Sequence, residues 1–365
     1  MPIQSPRPRI LVLFGGRSSE HDVSIKSATN VMRAIDPVKY EPVPVYVTRD
    51  GRWLPATFEG MRLDTPQTGP SLCLLPGGQG RLLAWPEEGT PYEVPKIDFA
   101  FPVLHGLCGE DGSIQGLCEA ALVPYLGCGI LGSAAALDKD VAKRLMLAAG
   151  VPVARWQLLT EDRSSSFAEL DAEFGLPFFV KPARSGSSVG VRRVSGSQEF
   201  GPALEEGFRH DARLLAEEAI NGREIECAVI EDGDGSLFVS RPGEIIPAES
   251  HGFYSYDAKY IDEHGAALKV PADLPADTEA AIRAMAERAF RALGCDGMAR
   301  VDFFLQPDGS FLVNEINTIP GFTDISMYPM AMAASGIDMS EIMARLIRHA
   351  LRRQAGQGAL VPGAG

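Results

Sequence analysis

The apolar positions along the chain follow two rhythms, short unbroken runs and spacings of three or four residues. Residues 10–14, ILVLF, run into Gly15-Gly16, the pattern of a strand buried on both faces. Ser18 and Ser19 offer helix N-caps, with Asp22 placed like the acidic partner in a capping box. Ile25, Ala28, Met32 and Ile35 follow at helical spacing, and residues 43–47 read as the next strand. A strand–helix–strand opening of this kind predicts a doubly wound sheet. Residues 48–96, rich in Gly and Pro, predict irregular connections and small edge strands. Residues 97–104 predict another buried strand, followed by the loop HGLCGEDGSIQG. Further on, a helix is expected from Asp138 to Gly150 and a strand over 177–181. Residues 214–232 read as strand, Asn-Gly turn, strand, and 244–246 as a strand. Asp277 caps a long helix bearing Ile282, Met285, Ala289, Phe290 and Leu293 on one face, and the last helix spans 339–353.

The stretch ARVDFFLQPDGSFLVNEINTIPG, residues 299–321, organises the rest. Asp-Gly between alternating runs is the strongest short-range hairpin signal. A two-residue turn at Asp308-Gly309 sets Asp302 opposite Glu315 and Arg300 opposite Asn317, all four side chains on one face. The other face carries Val301, Phe303, Leu305, Leu312 and Ile316, with Asn314 as a misfit. Two carboxylates and a carboxamide, without His or Cys, suit a hard cation such as Mg2+ that also takes phosphate oxygens. An exposed hairpin face with a cross-strand Arg–carboxylate pair is the alternative.

The chain's 365 residues exceed one ordinary core and predict two or three domains. A net charge of −14 argues against nonspecific nucleic-acid binding and demands a local basic pocket for any anionic substrate. Six cysteines without a CxxC pair suggest isolated buried thiols in place of disulfides or zinc. No apolar run approaches a membrane span or a signal-peptide core, so a cytoplasmic protein is expected.

Several loops could carry chemistry. KPARSGSSVGV follows a predicted strand, and its small side chains let backbone N–H groups face an anion, with Lys181 at its edge. Lys139 and Lys143, four apart on one helix face, read as solvent-facing. Glu20 either favours a helix dipole or lies at the carboxyl end of a strand, where open α/β sheets place ligands. His105 reads equally as a satisfied structural histidine. Backbone between the strands around Asn221-Gly222 offers an adenine edge, with Glu224 near a ribose, and residues 253–260 form a candidate lid.

Together FGGRSSEHDVS, HGLCGEDGSIQG, DKDVAK, KPARSGSSVG, EEAINGREIE, YSYDAKY, ARVDFF and NEINTIPGFT resemble the D-alanine–D-alanine ligases of the ATP-grasp superfamily. The resemblance covers nearly the whole chain. It implies an α/β and α+β architecture: a Rossmann-like N-terminal domain (1–134), a small central α+β domain (135–220) and a C-terminal α+β domain (221–355). A lid at about 248–264 and a disordered tail over 356–365 complete it. ATP would bind between the last two domains, with Lys139 and Lys181 on its phosphates, Glu217 on the adenine amino group and Glu224 on the ribose. Ala219 and Ile220 would add backbone contacts, although relatives often carry a bulky aromatic where Ala219 stands. Asp302, Glu315 and Asn317 resemble ligands for two Mg2+ ions, with Mn2+ as a substitute. Glu20 resembles the residue holding the first D-alanine's ammonium, supported by Ser187, with His105 nearby. Arg300 and the Gly321 backbone resemble the oxyanion-stabilising pair. Ser326 and Met327 fall where the second D-alanine's carboxylate is held, and Lys259 and Tyr260 sit on the lid. The implied activity is ATP-dependent formation of D-alanyl-D-alanine for peptidoglycan by a homodimer. A ligase forming D-alanyl-D-lactate or joining another carboxylate and amine on the same scaffold, or a noncatalytic nucleotide-binding module, is the alternative.

Overall fold

The computed structural model describes residues 7–247 and 266–359. The apolar run after the N-terminus forms β1 (Arg9–Gly15), which leads through α1 (His21–Ala34) to β2 (Glu41–Val47). β1 pairs in parallel with β2 on one side and β9 (Phe99–Pro102) on the other, and β3 (Trp53–Pro55) adds an antiparallel edge. Glu20, not Ser18 or Ser19, occupies the N-cap of α1 and makes no side-chain cap. The Ser18 hydroxyl instead accepts from Glu20 N at 3.2 Å and donates to the His105 carbonyl at 2.7 Å, tying two loops at the same sheet end.

Alternation along β1 splits its side chains between two cores. Ile10, Val12 and Phe14 pack with α1 and with two helices from the end of the chain. Leu11 and Leu13 face Leu74 and Leu82. The segment expected to hold irregular connections and small edge strands does contain short strands, and they have a definite role. After a short hairpin, β4 (Phe58–Glu59) with β5 (Arg62–Leu63), it builds an antiparallel meander over the sheet. That meander consists of β6 (Ser71–Leu74), β7 (Leu82–Trp85) and β8 (Tyr92–Val94), joined in its core by α2 (Ser113–Ala120).

Next come α3 (Ile130–Leu137), α4 (Lys139–Ala148) and a second sheet of β10 (Trp156–Thr160), β11 (Phe178–Pro182), β12 (Arg192–Val194) and β13 (Arg213–Glu218). Its order is β10-β13-β11-β12, all antiparallel, with α5 (Phe167–Phe174) and α6 (Ser197–Phe208) on its apolar face. The Asn-Gly segment is not a hairpin turn. β13 ends in this sheet, and β14 (Arg223–Glu231) begins a third one, so residues 219–222 cross between sheets.

The third sheet adds β15 (Leu237–Val239), β16 (Gly243–Pro247), β17 (Ala266–Lys269), β18 (Met298–Leu305) and β19 (Phe311–Asn317). Its back packs on α7 (Ala276–Ala292). Asp277 lies in the first turn of α7, where it suits the helix dipole, while Pro275 holds the cap position. The chain closes with α8 (Met327–Ala334) and α9 (Met339–Ala359), which runs into the stretch expected to be disordered. Four of the six cysteines are buried as expected, but Cys73 and Cys108 are exposed. Among the described residues, no helix is long and apolar enough to cross a membrane.

The β18–β19 hairpin keeps the expected pairs by a different route. Gly309 N donates to the Gln306 carbonyl at 3.0 Å and Gln306 N to the Ser310 carbonyl at 2.8 Å, enclosing a three-residue loop. Gly309 takes φ +85°, the left-handed position such loops require. Phe303 consequently pairs with Val313, one residue off the expected register. A bulge beside Asp302 restores the offset, so Asp302 faces Glu315 and Arg300 faces Asn317. Val313, not Leu312, fills the back of the sheet, and Asn314 turns to the cleft side with Glu315.

Candidate active site

A cleft of about 780 Å3 lies between the second and third sheets, lined on one side by Phe179, Lys181 and Glu217 and on the other by Phe304 and Glu315. Phe179 pairs with Glu217, and Lys181 stands two residues further along β11, so alternation puts all three on the face away from the apolar core. Lys181 Nζ is 2.6 Å from Glu217 Oε1. Lys143, expected in solvent, lies buried with its Nζ 2.7 Å from Glu217 Oε2. Its partner comes from β13, a strand remote in sequence, which spacing along α4 does not reveal. The Asp138 side chain caps α4, and Arg213 of β13 reaches both Asp138 and Asp140, the latter at 2.9 Å. This lashing aims Lys139 into the cleft, where its Nζ meets the Ser185 carbonyl at 2.9 Å and Glu315 Oε2 at 3.3 Å. Ala219 and Ile220 line the crossing between the sheets, and half-buried Glu224 lies at the start of β14.

Arg300 Nε and Nη2 each lie 2.7 Å from an oxygen of Asp302, and Nε is also 2.8 Å from Glu226 Oε2. Burial works against this cation, but Asp302 and then Glu226 more than reverse it and hold Arg300 firmly charged. Asn317 Nδ2 donates to Asp302 Oδ2 at 2.9 Å, leaving its Oδ1 as a ligand atom. Among the described residues no ready-made cage of three or more His, Cys, Asp or Glu exists. Two carboxylates and a carboxamide beside a cleft nevertheless fit a hard cation completed by phosphate and water oxygens.

Ser187 brings the glycine-rich loop to Glu20 by donating its hydroxyl to Glu20 Oε1. A Cβ on Gly186 would stand 2.6 Å from Glu20 Oε2, so the loop needs glycine there to approach the carboxylate. His105 Nδ1 meets the Ile319 carbonyl at 2.9 Å, which makes it the protonated nitrogen, and Nε2 lies 3.2 Å from Ser27 Oγ. Ser27 Oγ accepts from Phe322 N at 3.1 Å. Burial holds His105 below the usual imidazole range against the pull of Glu20, so the ring is neutral. It anchors the loop bearing Gly321. Ser326 is the N-cap of α8, and a Cβ on Gly321 would fall 2.7 Å from its Oγ. Met327 is buried and its side chain packs against Gly243. Lys259 and Tyr260 lie outside the described residues.

Glu110 escaped the sequence reading as a site residue, although it belongs to the acidic pair of the HGLCGEDGSIQG loop. It accepts from Gly106 N at 2.7 Å and Ile319 N at 3.2 Å, clasping the loops after β9 and β19. Burial, then the charge of Glu20, push its carboxyl up to about 8. A carboxyl raised on folding adds stability that is complete below about pH 4.5 and is lost as pH rises through about 8. Glu110→Gln is therefore expected to flatten the fall in Tm across that window. Thermal unfolding over a pH series measures it, and an unchanged slope would remove Glu110 as the titrating group.

Two sheets gripping a cleft, with lysines on one side and a carboxylate hairpin on the other, define an ATP-grasp ligase fold. The family models described as D-ala D-ala ligase N-terminus and C-terminus match residues 9–128 and 145–348. The chain belongs to the D-alanine–D-alanine ligase family. It is 58% identical over 349 residues to D-alanine–D-alanine ligase A of Brucella suis, covering 96% of this chain and 99% of that one. It is 45% identical to D-alanine–D-alanine ligase A of Chromobacterium violaceum, covering 94% of this chain and 95% of the relative. The solved D-alanine–D-alanine ligase of Coxiella burnetii superposes with a TM-score of 0.83 at 34% identity, covering 98% of this chain and 97% of that one. The VanG D-Ala:D-Ser ligase of Enterococcus faecalis gives 0.81 at 35% identity, with 94% and 99% covered.

Proposed function

We propose that the protein joins two D-alanine molecules at the expense of ATP, forming D-alanyl-D-alanine for peptidoglycan precursors. The observation that carries this reading is the single cleft faced by Lys139, Lys181 and the Asp302–Glu315 hairpin, with Glu20 joined to its loop by Ser187. A carboxylate and an amine do not condense unaided. The first D-alanine's carboxylate oxygen attacks the γ-phosphorus of ATP, giving an acyl phosphate and ADP. The second D-alanine's amine then attacks the acyl carbon, loses a proton, and phosphate leaves. Lys139 and Lys181 offset repulsion between carboxylate and triphosphate, and Arg300 with the Gly321 N–H stabilises charge developing on oxygen. Glu217 takes the adenine amino group, Glu224 the ribose, and Ala219 and Ile220 the base edge. Glu20 holds the first ammonium, and Ser326 with the Met327 backbone holds the second carboxylate.

Asp302, Glu315 and Asn317 would hold Mg2+, two ions with Mn2+ able to substitute, which supplies charge neutralisation at the phosphates. For Lys259 and Tyr260, outside the described residues, the resemblance implies a part in excluding water from the acyl phosphate. Domain boundaries near 134 and 220, a homodimeric assembly and a cytoplasmic location belong to the same reading. Boundaries, assembly and location rest on the resemblance, and sedimentation measures the assembly. Phosphate release with ATP and D-alanine, D-lactate or D-serine tests the reaction. Turnover with D-alanine alone as second substrate is expected, dominant use of D-lactate or D-serine would move the substrate assignment, and no turnover would overturn it.

A further inference from the structure

Lys143 has no part in the reaction described above, yet its side chain is 1% exposed, and an ammonium is not buried without a partner. Its Nζ lies 2.7 Å from Glu217 Oε2, 3.3 Å from the Ala154 carbonyl and 5.6 Å above the Trp156 ring. Trp156 is itself fixed: it pairs with Glu217 across β10 and β13, and its Nε1 donates to Asp140 at 2.9 Å. Asp140 is bound in turn by Arg213 and Arg144. The Glu217 carboxylate is thus held at both oxygens, by Lys181 from β11 and by Lys143 from α4.

We infer that Lys143 is a positioning residue that fixes Glu217 as an oriented anion and thereby sets the preference for adenine over guanine. This inference rests on the reading that Glu217 contacts the base. A carboxylate is acceptor only, whereas a carboxylic acid can also donate. Adenine presents an amino donor at the position where guanine presents a keto acceptor. An ionised Glu217 therefore favours adenine, and a protonated one loses that preference.

The groups facing Glu217 are Lys143 and Lys181, with Lys139 one turn away on α4 and Asp140 beyond Trp156. Glu218, next along β13, pairs instead with Arg155 at 2.7 Å. Burial pulls the Glu217 carboxyl upward, and Lys143 and then Lys181 reverse this and hold it below the ordinary range. Burial likewise draws Lys143 down against the pull of Glu217. Removing one of two cations from a buried carboxylate leaves it under-compensated, so its protonated form gains.

The test is Lys143→Met, which removes the charge while filling the space, with ATP and GTP affinities read by titration calorimetry from about pH 6 to about pH 8.5. In the native protein the ATP:GTP preference should stay flat across this range. In Lys143→Met it should fall about 10- to 100-fold toward the acid end, the size of one charge-assisted hydrogen bond, and recover toward the basic end. The kinetic loss should fall on KM for ATP more than on kcat. Lys143→Gln repeats the test with a smaller neutral side chain should the Met variant fail to fold. A flat ratio in either folded variant overturns the inference even if Tm falls, as does a pH-dependent ratio in the native protein. Glu217→Gln separates the two readings: if it leaves the ATP:GTP ratio unchanged, the base contact itself is wrong.

Discussion

Glu315→Gln is expected to lower dipeptide formation by about a thousandfold or more, the scale on which metal-held charge acts in phosphoryl transfer. Glu315 stands directly opposite Asp302, and its Oε2 lies 3.3 Å from Lys139 Nζ. The substitution preserves volume but removes one of the two carboxylates on the hairpin's cleft face. It also releases Lys139 from its ionic anchor. Because a hard cation binds an amide oxygen far less strongly than a carboxylate, raising Mg2+ should not restore turnover. Dipeptide formation measured over a Mg2+ series, alongside ATP binding, decides the matter. Near-normal turnover throughout would make this face a support and nothing more.

Glu20→Gln is expected to raise the KM for the first D-alanine about 100-fold while leaving ATP affinity in place. The carboxylate is enclosed: Ser187 donates to it, and neither Gly106 nor Gly186 leaves ordinary room for a Cβ beside Oε2. A neutral amide in that enclosure has one acceptor in place of two and no attraction for an ammonium. Steady-state kinetics with D-alanine varied at saturating ATP, paired with calorimetric ATP titration, separates the two effects. A loss confined to ATP would move Glu20 out of the amino-acid site.

How legible the site was depended on how far apart its partners lie in sequence. Asp302, Glu315, Arg300 and Asn317 could be paired by inspection because one short loop joins their strands. Even so, the pairs survive through two deviations that offset each other, the three-residue loop and the bulge. Asn314 was the visible clue, since a polar residue on the apolar face is what a bulge resolves. For Lys143, spacing along α4 says which helix face it occupies, not what covers that face. Its cover is β13, and only the fold brings Glu217 there. The Asn221-Gly222 pair misled for a related reason. A turn signal specifies local backbone, whereas the sheet each flanking strand joins is set by tertiary packing.

The sheet built on β1 depends on α8 and α9. Ile10, Val12 and Phe14 share a core with Tyr328 and Met332 of α8 and with Leu346 and Ile347 of α9. On a ribosome this face of β1 is translated before α8 and α9 and keeps its apolar surface uncovered until they have emerged. His105 and Ser27 likewise wait for Ile319 and Phe322 to complete their hydrogen bonds. Emergence of α8 and α9, and not of the N-terminal half alone, is then what completes this core. A chain interrupted before α8 would present a sticky sheet in place of a smaller folded domain, a ready target for chaperones and proteases.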